Sequence, residues 1–170
     1  MKKLTLVAAA LLLAAAASFT ALDDPTIVAI FDFANTADIE TGKLAVERGQ
    51  SQEVRDFGAM IARDHTGVRQ MGRDLAKKLG VTPTPPADDA AKVAHAAAMK
   101  QLSTIKASEF DVAFLRHEAA FHKSVIDAIN STLLPAIQNA ELRALVVKVV
   151  PAFEAHRFAA QHIEKQLTDR

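Results

Sequence analysis

Hydrophobic residues recur every three or four positions along four long stretches of the chain, which is the spacing of an amphipathic helix. Glycine and proline separate these stretches, and Asp23, Ser51 and Asn139 stand where N-terminal caps are expected. We predict long helices over about residues 26–48, 52–79, 108–131 and 140–167, and a short helix from about 89 to 104. Two helical hairpins joined by a long segment with a short extra helix are typical of an all-α, ferritin-like four-helix bundle with one crossover.

One row of positions in the first helix contains two carboxylates. Steps of three and four residues along this row give Phe33, Ala37, Glu40, Leu44 and Glu47. Burying a carboxylate costs several kcal/mol unless it gains a proton, a cation or a metal ion. If this row faces the core, its carboxylates need partners on the inward faces of the other helices.

The later helices contain polar residues at positions where the helical period requires an apolar side chain. Histidine and carboxylate side chains on facing helices are the means by which bundles bind Zn, Fe, Mn or Cu. The predicted metal ligands are Glu40, Glu47, His65, Asp111, Glu118, His122 and His156. A lone inward histidine or carboxylate also has an ordinary structural explanation, namely a hydrogen bond within the core. His95 stands among alanines and is interpreted as a surface or edge residue without a ligand role.

The distance of each candidate from the nearest turn, measured along the helix axis, indicates which candidates can lie at the same level of the bundle. Measured from a turn near Gln50, Glu40 and His65 differ by about 7 Å, and Glu47 lies close enough to the turn to reach solvent. Measured from a turn near Ala136, Glu118 and His156 lie within ~3 Å, whereas His122 and His156 are offset by ~9 Å. The chain contains no Glu-x-x-His, which disfavours an oxidase-type di-iron centre and favours a single ion.

The first 21 residues resemble a secretory signal peptide. Lys2 and Lys3 precede an apolar run over residues 4–17, and small residues then allow cleavage after Ala17 or Ala21. We predict a signal peptide over residues 1–21, a bundle domain over 22–170, and a periplasmic or secreted location. The apolar run is shorter than the roughly 20 residues that span a bilayer.

Composition excludes several classes of function. The chain has no cysteine, which excludes disulfides, thiolate nucleophiles and iron–sulfur clusters. Basic and acidic residues number 20 each, so no basic surface indicates nucleic acid binding. Neither a glycine-rich phosphate loop nor a His-Glu-x-x-His motif occurs, and no reaction is predicted.

Several segments of the chain together resemble domain-of-unknown-function family 4142, a group of exported bacterial proteins often named as outer-membrane proteins. The matching segments are Ile39-Glu40-Thr41-Gly42-Lys43-Leu44-Ala45 with Glu47, Val54-Arg55-Asp56-Phe57, Arg63-Asp64-His65-Thr66, Glu109-Phe110-Asp111 leading to His122, and Val150-Pro151 followed by His156. The resemblance implies a ferritin-like fold and an envelope location, and it brings no established reaction. It supports Glu40, Glu47, His65, Asp111, His122 and His156 as pattern positions.

Three functional hypotheses follow. The first is an exported bundle without demonstrated catalysis that binds a divalent metal (Zn, Fe, Mn or Cu) between Glu40, His65, His122 and His156. The alternative is a structural or stress-related envelope module, with an envelope protein or a second copy as partner, whose polar core only fixes helix register. A metal-dependent enzyme is a third, weaker hypothesis.

Overall fold

The protein is all-helical in a computed structural model that describes residues 22–87 and 90–169. The elements are α1 (Asp24–Arg48), α2 (Gln52–Leu79), α3 (Ala90–Thr104), α4 (Ala107–Ala128), a π-helical turn (Ile129–Leu133), α5 (Leu134–Ala136) and α6 (Ala140–Thr168). The predicted fold class is confirmed, and the helix bounds differ from the sequence-based ones by a few residues. The predicted signal peptide and the predicted start of the short helix at about residue 89 lie outside the described residues.

Side-chain caps begin three of the long helices as predicted. The Asp23 carboxylate accepts the Thr26 N–H at 2.9 Å, and the Ser51 hydroxyl accepts the Val54 N–H at 3.2 Å. Asn139 precedes α6, and its side-chain oxygen accepts two N–H groups of the first turn of that helix. Each cap satisfies backbone donors that have no partner inside the helix.

The long helices form two antiparallel hairpins, α1–α2 and α4–α6, and the crossover helix α3 packs against α1 and α4. Glycine allows the first hairpin to pack closely. A Cβ at Gly42 would lie 2.6 Å from the Gly58 carbonyl oxygen, and a Cβ at Gly58 would lie 2.6 Å from the Ala45 Cβ. Any larger residue at either position would push the two helices apart.

An aspartate from each hairpin holds the turn of the other. Asp111, near the start of α4, accepts the N–H groups of Gln50 and Ser51 at 2.8 Å each. Asp24, at the start of α1, accepts the N–H groups of Gln138 and Asn139 at 2.9 and 2.8 Å. These two contacts join the hairpins at opposite ends of the bundle.

The core consists of two apolar clusters. The first contains Ile27, Phe31, Val68 and Phe153, and the second contains Phe57, Ile61, Phe110 and Phe114, each with further aliphatic side chains. A layer of buried polar side chains lies in the same bundle interior. Within the described residues, no helix is both long enough and apolar enough to cross a membrane.

The buried face of α1 is not the one that the sequence pattern indicated. The buried side chains of this helix include Phe31, Asn35 and Asp38, whereas Glu40 and Glu47 are exposed. At 100° per residue, the two carboxylates of the predicted row lie well away from the buried face. The row instead faces partly toward α3, where Phe33 makes an edge contact with His95.

Candidate metal centre

Among the described residues, seven polar side chains are buried in the bundle interior. They are Asn35, Asp38, Thr41, His65, Glu118, His122 and His156. All four long helices contribute to this layer, and none of its members is more than 5% exposed. Burial of so many polar groups is costly unless each one is satisfied, so their partners decide what the layer can do.

Three imidazole rings converge at the centre of the layer. The ring centroids of His65, His122 and His156 are 5.2 to 5.5 Å apart, and one nitrogen from each ring lies within 4.8 Å of the other two. The Phe153 ring packs against His65 and His122 at 4.9 and 5.6 Å between centroids, so one wall of the cluster is apolar.

The proton of His65 is placed by Asn35. The Asn35 amide nitrogen donates to the Phe31 carbonyl at 2.8 Å, which directs the amide oxygen toward His65. That oxygen lies 2.9 Å from His65 Nδ1, so Nδ1 is the protonated nitrogen and donates to it. A neutral His65 therefore has its lone pair on Nε2.

His156 is oriented from the opposite side by Asp64. Its Nε2 lies 3.3 Å from a carboxylate oxygen of Asp64, which places the proton there and the lone pair on Nδ1. His65 Nε2 and His156 Nδ1 are 3.2 Å apart. When both rings are neutral, their two lone pairs face each other at this distance. This arrangement is repulsive unless a metal ion or an additional proton lies between the two nitrogens.

A hydrogen bond also fixes the tautomer of His122. Its Nδ1 donates to the backbone carbonyl of Glu118 at 2.9 Å, so its lone pair is on Nε2. That Nε2 is buried and has no hydrogen-bond partner within the described part of the chain. In metal sites, a ligating histidine usually donates its other N–H to a carboxylate, a carbonyl or a similar acceptor, and all three histidines do so here.

Burial keeps the three rings neutral. It lowers the pKa of His65 to about 2 and that of His122 to about 4, with the neighbouring imidazoles contributing in both cases. Burial also lowers the pKa of His156, although the Asp64 carboxylate partly opposes this shift. Neutral imidazole is the form that binds metal ions.

Two carboxyl groups lie on the protonated side of these rings. Asp38 Oδ2 is 3.3 Å from His65 Nδ1, and Glu118 Oε2 is 3.6 Å from His122 Nδ1. Both side chains are fully buried, and within the described residues none of their four oxygens has a hydrogen-bond partner. Burial raises the pKa of Glu118 to about 7, and burial followed by repulsion from Glu118 raises the pKa of Asp38 well above its usual range.

The structure separates the predicted ligands into two groups. It brings together His65, Glu118, His122 and His156, whose role as metal ligands stays a prediction. Three others lie elsewhere: the predicted inward positions of Glu40 and Glu47 are wrong, whereas Asp111 is half-buried at the end of the bundle. Glu40 is exposed and pairs with His95 Nε2 at 2.8 Å, Glu47 is exposed beside the first turn, and Asp111 binds the backbone of that turn.

Sequence reasoning missed Asn35, Asp38 and Thr41 because they lie on a different row of α1 from Glu40. A comparison of distances along the chain from the turn at Gln50 would have identified Asn35 and Asp38 as residues close to the level of His65. Asn35 lies 15 residues before Gln50 and His65 lies 15 after it, and Asp38 is nearer to that level than Glu40 is. No sequence motif marks Asn35, Asp38 or Thr41 as inward-facing residues.

The predicted offset between His122 and His156 is also wrong. The helix continues through the π turn to Ala136, and α6 begins at Ala140, so the turn centres near Gln138. Counted from there, His122 and His156 differ in depth by only about 3 Å. The two rings meet because the turn lies two residues later than the predicted turn near Ala136.

The model of the family described as Domain of unknown function (DUF4142) matches residues 9–163. This chain belongs to the DUF4142 family. A similar solved structure is the crystal structure of a DUF305 fragment from Deinococcus radiodurans, with a TM-score of 0.72 and 17% identity. The match covers 84% of this chain and 95% of that one, and at this identity it shows the fold alone. No curated protein matches the chain.

Proposed function

We propose that this DUF4142 protein binds one divalent transition-metal ion between His65, His122 and His156. The observation that carries the proposal is the pair of facing nitrogens, His65 Nε2 and His156 Nδ1, 3.2 Å apart. Two nitrogen ligands at the usual Zn–N bond length and tetrahedral angle are separated by roughly 3.3 Å, which matches. The unpartnered Nε2 of His122 supplies the third lone pair.

The donor set favours Zn²⁺ or Cu²⁺. Three neutral imidazoles suit borderline ions, and affinity for nitrogen ligands rises from Mn²⁺ toward Cu²⁺. Asp38 and Glu118 lie behind the rings, next to the protonated Nδ1 atoms of His65 and His122. A bound cation would favour the ionised form of both acids, which then supply negative charge close to it, as the outer carboxylates of histidine metal sites do.

Calorimetric titration of the EDTA-treated protein with ZnCl₂ tests the proposal. We expect one tightly bound Zn²⁺ ion. The affinity for Zn²⁺ should fall more than about 100-fold in His65→Ala and in His156→Ala, because each change removes a direct ligand. His162→Ala is the matched control, since it removes an exposed imidazole from α6, and Glu47→Ala removes an exposed carboxylate. Both controls should bind as tightly as the unmodified protein.

A thermal melt gives a second measurement. An ion that binds only the folded chain raises the melting temperature in proportion to the logarithm of its concentration. Zn²⁺ should therefore raise the melting temperature of the unmodified protein and of both controls much more than that of His65→Ala. Equal shifts in all variants would contradict a centre at these histidines and favour the structural alternative.

We also propose that the chain is exported to the bacterial envelope. The support is the sequence of Lys2, Lys3 and the apolar run over 4–17, together with the family resemblance. N-terminal sequencing of the protein recovered from the periplasmic fraction should begin at Ser18 or Leu22. Recovery of the chain from the cytosol with residues 1–21 intact would refute export.

A further inference from the structure

A second pair of histidines lines a cavity on the α3 side of the bundle. The cavity has a volume of about 290 Å³ and is lined by Phe33, His95, His117, Phe121, Ser124 and three alanines. These residues belong to α1, α3 and α4, so the cavity lies where the crossover helix covers the first and third long helices. None of the ligands of the proposed buried centre contributes to it.

One ring nitrogen of His95, a residue that lines this cavity, is buried. Its side chain is only 10% exposed, and Nε2 lies 2.8 Å from a carboxylate oxygen of Glu40, to which it donates. The lone pair of a neutral His95 is then on Nδ1. This nitrogen is buried and has no hydrogen-bond partner in the portion of the chain that the structure describes.

His117 reaches the same cavity from α4. The ring is half-buried and stacks on Phe121, with centroids 6.0 Å apart. Burial lowers the pKa of His117, and repulsion between the His117 and His95 rings when both carry a proton lowers it further, so the His117 ring is neutral at pH 7. Two imidazoles on different helices therefore face one small, partly open space.

We propose that His95 and His117 form a second, outer site for a divalent transition-metal ion. Neutral imidazole nitrogens define the class of ion, with Zn²⁺ and Cu²⁺ as the preferred members. Glu40 is a positioning residue, because its carboxylate fixes the tautomer that leaves Nδ1 of His95 free to bind. Water completes the coordination at this opening, so the ion binds more weakly than at three buried histidines.

The outer site is separate from the buried centre. Phe121 stands between them, with its ring centroid 6.0 Å from that of His117 and 6.2 Å from that of His122. The three alanines, Phe33 and Phe121 make the remaining walls apolar. Loss of one site therefore leaves the ligands of the other in place.

The test is the number of Zn²⁺ ions that the full chain binds after EDTA treatment. We expect a tight ion and a weaker ion in the unmodified protein, loss of only the weaker ion in His95→Ala/His117→Ala, and loss of only the tighter one in His65→Ala/His156→Ala. His162→Ala should retain both. Long-range ¹H–¹⁵N spectra of the unmodified protein provide a reading that no variant can obscure, since the ¹⁵N shifts of His95 and His117 should move during the weaker step.

The outcomes separate the two proposals. A single ion that persists in His95→Ala/His117→Ala, with unmoved His95 and His117 resonances, refutes the outer site and leaves the buried centre standing. A single ion that is lost in that variant and kept in His65→Ala/His156→Ala refutes the buried centre and supports the outer site. Binding of no ion refutes both.

Discussion

Two pairs of acids in this bundle differ in how their carboxyl groups are satisfied. Asp24 and Asp111 lie near helix starts, and each accepts two backbone N–H groups from the turn of the opposite hairpin. Asp38 and Glu118 lie in the interior, where none of their oxygens has a hydrogen-bond partner among the described residues. The first pair explains how the hairpins are joined. The second pair is a cost to the fold, and a nearby cation would offset it.

The difference shows how to separate structural from functional polar residues. A carboxylate with a full set of donors stabilises the protein, whereas one that is buried without donors persists only if something else requires it. The metal ion proposed above for the three histidines would meet that requirement. Three experiments sharpen this contrast, from the largest expected effect to the smallest.

Replacing the interior acids by apolar residues of similar size should stabilise the metal-free protein. For Asp38→Leu/Glu118→Met we expect a free energy of unfolding higher by about 1–3 kcal/mol, because two unsatisfied buried groups are removed. Urea unfolding in EDTA at pH 7 measures this change. The same variant should bind Zn²⁺ at least ~10-fold more weakly. A drop in stability would instead show that the polar layer is a structural network.

The stability gained by Glu118→Met alone should depend on pH. The pKa of Glu118 is raised to about 7 from an ordinary value of 4.5, so its contribution to folding is complete below pH 4.5 and is lost as the pH rises to 7. The advantage of Glu118→Met over the unmodified protein should therefore be largest at pH 7 and shrink by at most about 1.4 kcal/mol per pH unit toward pH 4.5. Urea unfolding of both metal-free proteins at pH 5, 6 and 7 measures it.

The buried histidines change stability with pH in the opposite direction to Glu118. Their effect is removed by comparing Glu118→Met with the unmodified protein. Their pKa values are lowered, so they favour folding above pH 6.5 and cost stability as the pH falls. Because both proteins contain the same histidines, that cost largely cancels in the difference. An advantage that grows toward low pH would show that the Glu118 carboxyl is ionised in the folded protein.

Removing an acid that holds a turn should have the opposite sign. Asp111→Ala deletes the acceptor of the Gln50 and Ser51 N–H groups, and we expect a loss of roughly 1–2 kcal/mol in the free energy of unfolding. Asp24→Ala should cost about as much, and the two losses should add because the contacts lie at opposite ends of the bundle. Urea unfolding of the single and double variants measures both losses.

A surface acid provides the control for these two variants. Asp127→Ala removes only an exposed pair with Lys123 and should change stability by less than about 0.5 kcal/mol. Zn²⁺ affinity should stay unchanged in all three variants, because none of these acids lies in the polar layer. A loss of Zn²⁺ binding in Asp24→Ala or Asp111→Ala would contradict the division into two kinds of acid.

Periodicity and caps were enough to predict the bundle. Asp23, Ser51 and Asn139 mark helix starts by local chemistry. The apolar rows of the later helices placed four polar residues inside, namely His65, Glu118, His122 and His156. The first helix was misread because two rows compete there. The row of Phe33 and Glu40 faces partly toward the crossover helix, while the row of Asn35 and Asp38 enters the core.

The sequence by itself determined which residues are helical and that histidines enter the bundle, because helix period and capping are local properties of the chain. Only the tertiary structure decided which side chains meet. The depth of His122 relative to His156 depends on a π-helical turn, and the inward face of α1 depends on how α3 packs against another side of that helix. The lone pairs of His65 and His156 likewise depend on Asn35 and Asp64, because these contacts join residues from different helices.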